Sequence, residues 1–127
     1  MRIIYPTVEE VIEANKLALE VHRVKKGDKH ELLGAKYQIQ ELINKVKRKK
    51  GDIYSKSALL LRELTTKHVF ASGNRRTAFL VTINFIYKNT QHILLKEDIK
   101  ENLEIFKKIR YNQISEEELI KWLKKKE

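Results

Sequence analysis

The chain has 127 residues with one proline, four glycines, no cysteine and 42% apolar residues. That length fits one domain with one core over residues 1–127, the scarcity of turn residues argues against a many-stranded β fold, and the lack of cysteine excludes disulfides and thiolate metal sites. A formal charge of +10, from 27 basic and 17 acidic residues, favours acidic partners without choosing among nucleotide, nucleic acid, anionic protein and membrane surface.

A capping box opens the first predicted helix, with Thr7 as the cap and Glu10 three residues on. Val8, Val11, Ile12, Ala18 and Leu19 then line one face at helical spacing, and the helix is expected to end near His22. The second helix is expected over residues 32–48, burying Leu33, Tyr37, Ile39, Leu42, Ile43 and Val46, with Gly51 as its stop. Residues 55–66 form the third, where Ala58, Leu59, Leu60, Leu61 and Leu64 leave few polar positions. The fourth, over residues 74–87, is apolar nearly all round, which predicts burial on most sides. Residues 92–95 read as a short extended piece, and a fifth helix follows over residues 97–109. A second capping box, Ser115 with Glu118, announces the last helix, which carries Leu119, Ile120, Trp122 and Leu123. The expected architecture is all-α, six helices in one domain.

No apolar run approaches the roughly 18 residues of a membrane span. Residues 1–6 also lack the apolar stretch and cleavage site of a signal peptide. A soluble, cytoplasmic protein without membrane contact is expected. Nucleic acid ranks last among partners: the basic run at residues 45–50 has no interleaved aromatic on which bases could stack.

The start of the fourth helix breaks local rules. It is entered through Ser72, Gly73, Asn74, Arg75 and Arg76, with Lys67 and His68 just before. A helix start carries partial positive charge and unpaired N–H groups, so acids belong there and two arginines are the wrong local choice. Such conflicts are expected mainly at functional sites. An anion at the helix end resolves it: Gly73 lets the backbone approach, free N–H groups point at the ligand, and the arginines donate to phosphate. The plainer alternative is that Arg75 and Arg76 reach solvent or distant carboxylates, but Gly-Asn-Arg-Arg heading a buried helix favours the anion. His68 lies six residues before Asn74, so a short loop returns it to the same helix end. Histidine there suits a general base for an incoming hydroxyl, and a capping or core histidine is the alternative. Phe70 is read as the core anchor that fixes the loop. His22, His30 and His92 have no such context.

Residues 68–78, His-Val-Phe-Ala-Ser-Gly-Asn-Arg-Arg-Thr-Ala, closely resemble the signature of the Fic/Doc family in its death-on-curing branch. Residues 52–66 and 113–123 are similar to the helices that flank the motif, with weaker similarity at residues 7–15 and 32–35. The resemblance implies an all-helical Fic fold and transfer of part of ATP to a protein hydroxyl. Most members transfer AMP, whereas the Doc toxin phosphorylates elongation factor Tu. By position, His68 would deprotonate the target Ser, Thr or Tyr. Asn74 and the Gly73 backbone would hold phosphate oxygens, Arg76 would grip the terminal phosphates, and Phe70 would pack beneath the loop.

Two departures carry weight. Arg75 stands where AMP-transferring members have glycine and Doc has lysine, which points to phosphate rather than AMP. Ser72 stands where the family places its Mg²⁺-binding acid, and a neutral hydroxyl is a poor magnesium ligand. The resemblance therefore implies a Doc-like toxin kinase, partnered by a small antitoxin and acting on a protein such as a translation factor. The alternative is a degenerate Fic fold that binds nucleotide or protein without transfer.

Overall fold

The computed structural model describes residues 2–21, 32, 36–93 and 99–124. Among these it contains six helices: α1 (Val8–Val21), α2 (Lys36–Arg48), α3 (Ile53–Thr66), α4 (Asn74–Thr90), α5 (Ile99–Arg110) and α6 (Glu116–Lys124). The expected all-α architecture is correct. The ends of the predicted first, second and fifth helices around residues 22–31, 33–35 and 94–98 lie outside the described residues, as do His22, His30 and Leu33.

α3 is the central helix. It packs against α2, α4, α5 and α6, while α1 packs on α4 and α2. Ala58, Leu60, Leu61 and Leu64 of α3 meet Val81, Phe85 and Ile86 of α4 and Leu119, Trp122 and Leu123 of α6 in one buried cluster. Both capping boxes form. Thr7 Oγ1 accepts from the Glu10 N–H at 3.1 Å while Glu10 accepts from the Thr7 N–H at 3.2 Å. The Ser115–Glu118 pair repeats this at 3.1 and 3.2 Å.

Several boundaries and burials differ from expectation. α3 starts two residues earlier than expected because Asp52 caps it: the Asp52 carboxylate accepts from the Ser55 N–H at 2.9 Å. Leu32 is not helical but forms an antiparallel bridge with Phe70. Tyr37 is 67% exposed, because α2 buries Ile39, Leu42, Ile43 and Val46, and Tyr37 lies off that face. α4 runs on to Thr90, where Asn89 clasps Ile4: its Nδ2 donates to the Ile4 carbonyl at 2.9 Å and its Oδ1 accepts from the Ile4 N–H at 2.8 Å. The apolar surface of α4 is not buried on most sides either. Leu80 and Ile83 are half-buried and Tyr87 is exposed, and they line an open groove against Ala14 and Leu17 of α1.

Candidate active site

The loop between α3 and α4 is built from three local devices. First, α3 ends at Thr66 with Lys67 as its C-cap, and His68 follows at φ 49°, in the left-handed region. That conformation turns the chain sharply but costs a non-glycine residue about 1 kcal/mol. Second, the Asn74 side chain reaches back one turn to Phe70. Its Nδ2 donates to the Phe70 carbonyl at 2.9 Å and its Oδ1 accepts from the Phe70 N–H at 3.2 Å. Asn74 thus clamps the loop with the amide expected to bind phosphate. Phe70 itself is buried below the loop, 1% exposed.

Third, α1 holds the loop from beneath. Asn15, fully buried, donates through Nδ2 to the Ser72 carbonyl at 2.9 Å and to Thr77 Oγ1 at 3.0 Å. Thr77 Oγ1 in turn donates to the Gly73 carbonyl at 2.7 Å. Gly73 caps α4 at φ 77°, and a Cβ there would stand 3.1 Å from Leu19 Cδ2 and 3.3 Å from Asn15 Nδ2. The glycine is required by its backbone conformation and by α1, so the ligand approach expected of it is not what demands it. Neither Asn15 nor Thr77 was singled out from the sequence. A lone asparagine on an apolar helix face was the available signal.

These devices leave the first turn of α4 without an acidic residue and Gly73 without a side-chain capping bond. His68, Gly73, Asn74 and Arg75 line a cleft of about 610 Å³. That is within the range of small-molecule sites. The opposite wall comes from α5, through Leu103, Phe106, Lys107 and Arg110. Their spacing of three, one and three residues puts all four on one helical face. Arg110 and Lys107 were not singled out from the sequence.

Arg75 and Arg76 part company. Successive helical residues point about 100° apart, which turns the two side chains to different surroundings. Arg75 is exposed and lines the cleft, whereas Arg76 is half-buried and is not among the lining residues. Ser72 is half-buried, with its carbonyl turned to Asn15. Among the described residues no carboxylate lines the cleft, and no group of three or more His, Asp or Glu is placed to hold a metal. With serine at position 72 as well, the donor set does not fit Mg²⁺ ligation by the protein.

An all-helical chain with a cationic cleft at a glycine-led helix start, a histidine on the rim and an asparagine clamp defines the class. A model of the Fic/DOC family matches residues 5–86, more than half of the chain, and the chain belongs to that family. No curated protein matches it significantly. Membership points to group transfer of the AMP- or phosphate-transfer type. Among the described residues, no helix is long and apolar enough to cross a membrane.

Proposed function

We propose that the protein is a Doc-like transferase that moves the γ-phosphate of ATP, in preference to AMP, onto a Ser, Thr or Tyr hydroxyl of a target protein. The observation that supports this most is that His68, the open first turn of α4 and Arg75 line one cleft. In this reading the triphosphate lies against the α4 N–H groups, where a helix end favours anions. His68 takes the proton of the target hydroxyl, whose oxygen attacks the γ-phosphorus. The bond from that phosphorus to the β–γ bridging oxygen breaks, and ADP leaves with the electron pair. General bases of this kind contribute about a hundred- to ten-thousand-fold. The guanidinium of Arg75 narrows the cleft at the helix start, which favours attack at the terminal phosphate over the α-phosphate.

A translation factor as target and a small antitoxin as regulator follow from the Doc likeness. A second reading, nucleotide binding without transfer, is favoured by the lack of a carboxylate in the cleft lining. Incubating the protein with ATP and cell lysate, then locating modified hydroxyls by mass spectrometry, separates the two. Phosphorylated Ser, Thr or Tyr that is absent with His68→Ala supports transfer. An unmodified proteome with ATP still bound supports the second reading.

A further inference from the structure

We propose that Lys107 and Arg110 of α5 are phosphate-binding residues that let the cleft hold a nucleoside triphosphate without a divalent cation. The inference rests on the reading of this cleft as a nucleotide site and adds how the site neutralises its ligand.

Charge placement is the first ground. Seven lysines elsewhere form ion pairs: Lys16, Lys36, Lys45, Lys49, Lys67, Lys88 and Lys124. Arg75, Lys107 and Arg110 form none with a described carboxylate, which is equally true of Lys108, but unlike Lys108 they converge on one cavity from two helices. Like charges gathered on a concave wall repel one another, and a polyanion between them removes that cost.

The second ground is the donor set. Magnesium in such sites is held by one or two carboxylates together with the phosphates. The lining supplies no carboxylate among the described residues, but three cationic side chains, more formal charge than one divalent ion. The two cations of α5 also face the start of α4, so a phosphate chain between the helices meets N–H groups on one side and ammonium and guanidinium on the other. Arg110 has a rest for its planar fork, its guanidinium carbon lying 5.5 Å from the centre of the Tyr111 ring.

The third ground is position along the helix. Lys107 lies on the cleft face, whereas the adjacent Lys108 is exposed and does not line the cleft. This gives a control with the same charge, helix and exposure.

The test is titration calorimetry with ATP at fixed ionic strength, in excess EDTA and in excess Mg²⁺. Wild-type protein is compared with Lys107→Ala, Arg110→Ala and Lys108→Ala. All three positions are exposed, so the fold is not at risk. The proposal expects ATP to bind in EDTA, roughly tenfold weaker in Lys107→Ala and Arg110→Ala and unchanged in Lys108→Ala, as loss of one charge-assisted contact dictates. Binding that needs Mg²⁺ overturns the proposal and leaves the nucleotide reading standing. So does binding in EDTA that Lys107→Ala and Arg110→Ala leave intact, or that Lys108→Ala weakens equally. No binding under either condition overturns both.

Discussion

The buried amide of Asn15, on α1, donates to the Ser72 carbonyl across 2.9 Å, joining two residues 57 positions apart in the chain. The same amide reaches Thr77 Oγ1, so one side chain fixes both the loop before α4 and its first turn. Replacing Asn15 by the similarly sized Leu removes the donor to the half-buried Ser72 carbonyl and to Thr77 Oγ1. A destabilisation of about 1–3 kcal/mol is expected. Nucleotide affinity should fall with it, because the N–H groups of α4 lose their fixed position. Denaturant melts together with ATP titration of the still-folded variant check this. Unchanged stability and affinity would show that the loop holds itself.

His68 sets function against stability at one position. At φ 49° a side chain is strained, whereas glycine is not. His68→Gly should therefore melt above His68→Ala by the equivalent of about 1 kcal/mol, and neither should transfer phosphate. Equal melting temperatures for the two variants would mean that the strain at His68 is negligible. Transfer surviving in both would remove His68 from the mechanism.

Most of the fold was legible in the sequence because it follows from local patterns. The capping boxes at Thr7 and Ser115 and the apolar spacing of α2 and α6 are short-range signals, and each produced its helix. The start of α3 at Ile53 fell outside the expected range because Asp52 and Ser55 are equally good caps by type. The site was legible only where it is contiguous. Residues 68–76 announced themselves by placing cations at a helix start, but which arginine faces the cleft depends on the angle between α4 and α5. Asn15, Lys107 and Arg110 enter from distant helices, and no local rule marks a lysine that faces a cavity.

Acid should loosen the molecule through its helix ends. The hydrogen bond from Lys88 holds Glu10 below its ordinary 4.5, and the N–H of Ser55 holds Asp52 below its ordinary 3.8. A carboxyl whose folded pKa is depressed binds its proton more readily in the unfolded chain. Its stabilisation is therefore present above the ordinary value and is lost as pH falls through the lower folded one. Melting temperature should decline below about pH 4.5. Glu10→Gln and Asp52→Asn should each flatten that decline while lowering the plateau at neutral pH. A slope unchanged in both variants would assign the acid sensitivity to other groups.

The most direct measurement uses ATP labelled at either the α- or the γ-phosphate, incubated with lysate and with wild-type protein or His68→Ala, then resolved on a gel. A protein band labelled from the γ-phosphate alone is expected, present with wild type and absent with His68→Ala. A band labelled from the α-phosphate would contradict the role given to Arg75, and γ-label that persists without His68 would contradict the mechanism.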